Sequence, residues 1–149
     1  MAGLIRVAGH GSHVDIAVLG YECAERCEAE PEWLSCEVRC AVGSFGAALS
    51  MPLATGDLAR IRDALAGELM HLAGSARMDT TEERITLAVV MGARGTAVVS
   101  GTVSNHSGPV ATLSFKFDTD QSYLGQTLSE LEATLKLFPE RPPSRGTAV

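Results

Sequence analysis

The chain has 149 residues, 46% hydrophobic and 20% charged, with a net charge of −6. That length suits one domain with a real core, and the composition sets disorder aside. The acidic balance disfavours phosphate-backbone binding, since the twelve Lys and Arg are scattered and form no basic patch.

Leu4 to Val7 predicts a short first strand. His10 to Ser12 reads as a turn, and alternation of Val14, Ile16 and Val18 predicts a second strand reaching as far as Cys23. Ala24 to Glu32 is an acidic loop. Leu34, Cys36, Val38, Cys40 and Val42 then alternate with polar or small residues, the clearest amphipathic strand in the chain. Gly43 and Gly46 allow a bulge or bend, after which Phe45, Ala47, Leu49 and Met51 resume the alternation until Pro52. Thr55 is placed to cap a helix whose apolar stripe is Leu58, Ile61, Leu65, Leu69 and Leu72, with Gly74 as its stop. Ser75 to Asp79 carries a weaker strand signal. Ile85–Met91 and Thr96–Val103 are strand-like, separated by a turn at Gly92 to Gly95.

The stretch from Ala111 to Pro139 changes period midway. Leu113, Phe115 and Phe117 recur every second residue. Leu124, Leu128, Leu131, Leu135 and Phe138 then recur at helical spacing, with Asp120 at the N-cap position. The element order predicts an α+β domain over residues 1–139: a curved antiparallel sheet of about six to eight strands covered by two helices. Residues 140–149 carry no periodicity and predict a flexible tail. The two halves are similar in order, but no motif recurs.

Four cysteines fall in eighteen residues: Cys23, Cys27, Cys36 and Cys40. On a strand, Cys36 and Cys40 would stand about 13 Å apart, too far for one tetrahedral ion unless the strand breaks. A hairpin placing Cys27 opposite Cys36 and Cys23 opposite Cys40 would allow free thiols or cross-strand disulfides. A metal or redox role for these four remains the alternative to a binding function, as does a small-ligand site. His10, His13, His71 and His106 are dispersed, and no Gly-x-Ser-x-Gly motif is present. No catalytic residue, cofactor or enzymatic activity is expected.

Glu22, Glu25, Glu28, Glu30 and Glu32 crowd one segment beside Trp33. They read either as a solvated loop or as a surface for a basic protein partner, with Glu25, Glu28, Glu30, Glu32 and Trp33 as contacts. No signal-peptide pattern or membrane-length apolar run appears, which predicts a cytoplasmic chain. Open sheet edges allow pairing with a second copy.

Gly20-Tyr21-Glu22, the Glu32-Trp33-Leu34 strand entry, and Phe117-Asp-Thr-Asp-Gln-Ser-Tyr-Leu124 followed by Leu137-Phe138-Pro139 resemble the WapI-type immunity proteins. The resemblance runs from Val14 to Pro139. It implies a non-enzymatic module that binds and neutralises a toxin domain, typically a nuclease with a basic substrate groove. Cys23, Cys27 and glutamates stand where that family is richer in Asp and aromatic residues.

Overall fold

The structure, a computed structural model, describes residues 2–26, 31–80, 84–105 and 108–142. Two β-meanders, each followed by a helix, build it. The first comprises β1 (Gly3–Gly9), β2 (Ser12–Tyr21), β3 (Trp33–Val42), β4 (Phe45–Ala54) and α1 (Thr55–His71). The second comprises β5 (Ser75–Asp79), β6 (Ile85–Met91), β7 (Thr96–Asn105), β8 (Ala111–Asp120) and α2 (Gln121–Leu137), with a short 3₁₀ turn at Ala93–Gly95.

These strands form two four-stranded antiparallel sheets, β1-β2-β3-β4 and β5-β6-β7-β8, not one continuous curved sheet. The physical cause lies at two chain reversals. Gly43 and Ser44 do not bend a single strand. They make a two-residue turn, Gly43 at φ +57°, that folds Phe45 back beside Val42. β4 is therefore a new strand on the edge of the first sheet. α1 then carries the chain away to start a separate meander. Pro52 sits within β4, opposite Ser35, and an edge strand tolerates it because its missing N–H faces away from the ladder.

The helices exchange partners. α2, which follows the second sheet, packs along β1 of the first, while α1 packs along β5 of the second, and the two helices touch each other. α2 also satisfies the β1 edge with side chains. Glu130 Oε1 accepts the Arg6 N–H at 2.9 Å, and Thr127 Oγ1 donates to Arg6 O at 2.8 Å. Thr119, at the end of β8, donates to Ala8 O at 2.6 Å. An edge that would otherwise invite foreign strands is closed.

Inward residues of both sheets and both helices merge in one apolar cluster, among them Ile16, Val38, Leu58, Leu65, Val99, Leu124 and Leu131. Each buried aliphatic side chain of this kind contributes roughly 1.5–3 kcal/mol. At the junction lies a cavity of about 20 Å³, lined by Ile5, Ile16, Leu58, Met78, Leu87 and Leu124 among others.

The helix ends differ. Asp120 caps α2 as expected, its carboxylate accepting from the N–H groups of Ser122 at 2.8 Å and Tyr123 at 3.2 Å. At α1, Thr55 is the first helical residue and Ala54 holds the cap position without a side-chain bond. The Thr55 N–H instead donates to Glu32 O at 3.0 Å, so a tertiary contact does the work of a cap. α1 ends at His71, and Leu72, not Gly74, takes the left-handed conformation that terminates it, at φ 50°.

Glu68 lies in the last turns of α1, only 4% exposed, and neither carboxylate oxygen has a hydrogen-bond partner among the described residues. Burial pushes its pKa up from 4.5 to about 7. The sign of the linkage follows. Below pH 4.5 both folded and unfolded chains hold the proton, so burial costs nothing extra. Between about 4.5 and about 7 the unfolded chain releases it first, and stability declines as pH rises. Chemical denaturation of the wild type should therefore show a loss of about 1–3 kcal/mol across this window. Glu68→Gln should flatten that slope and be the more stable protein at pH 8. Parallel slopes for the two proteins would refute the assignment.

Candidate partner-binding surface

The segment between β2 and β3 begins at Glu22, whose N–H donates to Trp33 O at 3.0 Å in the last backbone bond of that ladder. Past this point the chain leaves the sheet. Pairing of β2 with β3 sets Val14 opposite Cys40, Val18 opposite Cys36 and Tyr21 opposite Leu34. Cys23 therefore does not face Cys40, because the segment beyond Tyr21 is a loop and not the arm of a hairpin carrying both pairs. Cys23 is exposed, whereas Cys36 and Cys40 are buried on the inner face of an unbroken β3, all three as free thiols. Burial pushes Cys36 up to about 12 and raises Cys40 as well, which makes both poor nucleophiles. Cys27 lies outside the described residues. Among the described residues no three His, Cys, Asp or Glu side chains gather to hold a metal ion.

The acidic loop is gripped by Arg141. Its guanidinium donates to the carbonyls of Ala24 at 2.7 Å and Cys23 at 3.0 Å on the loop's first side. On the other side it meets Glu32, with Nη2 to Oε1 at 2.6 Å and Nε to both carboxylate oxygens at 3.2 Å. The Arg141 backbone N–H adds a bond to Glu32 Oε2 at 2.9 Å. One cation thus ties together the two ends of a loop. The guanidinium also lies 3.8 Å above the Tyr21 ring. Tyr21 in turn donates to Pro139 O at 2.6 Å and packs edge-on against Phe138. Arg26 completes the clasp, donating to Arg141 O at 2.6 Å and pairing with Glu140 at 3.3 Å.

Glu32 is consequently an interior residue, 3% exposed. The Arg141 side-chain hydrogen bonds hold its carboxyl below the usual carboxylate range, against the opposing effect of burial. The Tyr21 hydroxyl is shifted up by burial, with Arg141 pulling the other way. The remaining candidate contacts fall differently. Glu25 is exposed and Trp33 half-buried at the start of β3. Glu28 and Glu30 lie outside the described residues. Sequence reasoning missed Arg141, Arg26 and the bridging role of Tyr21. Arg141 sits in an aperiodic stretch beside two prolines, where periodicity carries no signal.

Elsewhere, a surface depression of about 480 Å³ is lined by His10, Thr96, Asp118 and Thr119 together with Val90 and Val98. Its two threonine hydroxyls are already committed, Thr119 to Ala8 O and Thr96 to Ala93 O. His10 packs its ring against Tyr123. His13 lies 3.8 Å from Asp15, and His106 falls outside the described residues. No described helix is long and apolar enough to cross a membrane.

Residues 5–139 match the immunity protein WapI-like family. No curated protein sequence matches the chain. Among solved structures, a CdiA-CT/CdiI toxin and immunity complex from Enterobacter cloacae is similar, with a TM-score of 0.44 at 10% identity, over 72% of this chain and 97% of that one. With the match spanning β1 through the end of α2, the chain belongs to the immunity protein WapI-like family.

Proposed function

We propose that this protein acts as an immunity protein, neutralising a toxin domain by binding it and performing no chemistry of its own. Family membership over residues 5–139 is the observation that carries the reading. The surface we assign to the contact is the acidic segment bearing Glu25, Glu28 and Glu30, with Trp33 at its base. Glu32 anchors the segment from inside and does not touch the partner. A net charge of −6 suits a toxin whose active groove is basic, as in a nuclease, and would hasten encounter at low salt.

The test is binding to a toxin domain drawn from the genes neighbouring this one. Reversing Glu25, Glu28 and Glu30 to lysine together should cut the association rate at least about tenfold at low salt and flatten its dependence on ionic strength. Unchanged rate and salt slope would move the contact elsewhere on the molecule. Failure of the wild type to bind or protect would remove the immunity reading itself.

A further inference from the structure

Each sheet has two edges, and the fold treats them unequally. β1 is covered by α2, and β5 by α1. β8 carries Lys116, Asp118 and Asp120, and its Asp118 carbonyl accepts the His10 N–H at 3.2 Å. β4 has neither protection. Its ten residues, Phe45–Ala54, include no charged side chain, and among the described residues no element other than β3 and the start of α1 makes more than slight contact with it. Natural edges of that length are ordinarily blunted by charge or cover.

The register of β4 says what the open edge offers. The two-residue turn closes on the Val42–Phe45 pair, so Phe45, Ala47, Leu49 and Met51 direct their backbone groups to β3. Gly46, Ala48 and Ser50 direct theirs outward, and Pro52, which has no N–H, ends that outward row. The side chains of Phe45, Ala47 and Leu49 continue the core-facing side of the sheet past its cover. Phe45 is 70% exposed, while Ala47 and Leu49 are half-buried.

We infer that β4 is a homodimer edge, pairing antiparallel with β4 of a second copy about a two-fold axis at Ala48. Ala48 then faces Ala48 of the second copy, Gly46 faces Ser50, and the ladder stops where Pro52 lacks a donor. On the apolar face, Phe45 comes beside Met51 of the second copy and Ala47 beside Leu49, which covers the exposed ring. The pairing is self-complementary in size and in charge. Two molecules that each carry −6 repel, and β4 is a strand along which they meet without opposing like charges. The edge also lies at the far end of β4 from Ala54, Trp33 and the acidic loop, so the dimer leaves that loop open.

Light scattering and sedimentation on the full chain test this. Wild type at about 100 µM should run at twice its 15.6 kDa mass. Ala48→Glu and Ala48→Lys each place like charges opposite one another at the axis. Each should weaken self-association about tenfold, with circular dichroism unchanged because Ala48 is exposed. An equimolar mixture of the two should restore the dimer. Ser50→Pro, which removes one outward N–H as Pro52 already does, should weaken it without unfolding the chain. A wild type that stays monomeric overturns the assignment and leaves the edge to an extended segment of another protein. So does a dimer indifferent to all three variants. Toxin binding by the monomeric variants separates this result from the immunity reading.

Discussion

Gly9→Ala is expected to cost about 3–4 kcal/mol and to lower the melting temperature by about 10 °C, although it adds one methyl group. The reason is where Gly9 sits. At the end of β1 its backbone passes so close to β8 that a Cβ would stand 2.1 Å from Asp118 O and 2.8 Å from the Phe117 ring. Neither neighbour can yield. Asp118 O is backbone already bonded to the His10 N–H, and Thr119 is tied to Ala8 O from the same strand. The methyl group would therefore push the first meander off the second at the seam they share. Gly125→Ala is the control. It lies inside α2 with nothing within 4 Å of a new Cβ. There alanine should stabilise by about 0.5–1 kcal/mol through helix propensity. Thermal unfolding of both variants checks the pair, and a Gly9→Ala protein as stable as wild type would contradict the packing described.

The second large effect concerns Glu32. Replacing it with alanine should cost about 1–3 kcal/mol, since it removes one partner of a part-buried, bidentate ion pair and its charged hydrogen bonds. The pH dependence distinguishes this from simple loss of packing. Glu32 has its folded pKa held below 4.5 by Arg141. Its contribution is accordingly whole above the unfolded carboxyl value and fades as pH falls through the depressed one. Wild type should lose this increment on acidification below about pH 4.5, while Glu32→Ala should not. Its effect is opposite in sign to that of Glu68: the Glu32 contribution fades as pH falls, the Glu68 contribution as pH rises. Arg141→Ala should likewise free the carbonyls of Cys23 and Ala24, leave the Glu32 carboxylate without its cation, and weaken the proposed toxin binding although Glu25, Glu28 and Glu30 are unaltered in sequence. Equal acid sensitivity of wild type and Glu32→Ala would dismiss the role assigned to the pair.

How far the sequence revealed this molecule depends on which kind of signal each part carries. α2 was legible in full because Phe117 to Leu124 changes from a two-residue to a helical period, with Asp120 marking the junction. Strand alternation was equally clear in β3. Alternation reports that one face is buried, however, not what it is buried against, so eight strands could be joined on paper into one sheet. The break at Gly43 and Ser44 was ambiguous because Gly46 made a bulge equally reasonable. Thr55 looked like a cap because capping chemistry is local, whereas its N–H is satisfied by Glu32 across the fold. The candidate surface was half visible. A run of glutamates marks a location, but that Glu32 turns inward was decided by Arg141, more than a hundred positions away.

The exchange of helices between the two meanders bears on how the chain acquires its shape. The bond from the Arg6 N–H to Glu130 spans 124 positions. As the polypeptide emerges from the ribosome, the opening meander is complete long before the rod that shields its first strand exists. Closure of β1 by α2 and of the shared core is therefore a late, long-range step. Until then the nascent first half carries β1 as a bare strand edge, the kind of edge that pairs with foreign strands.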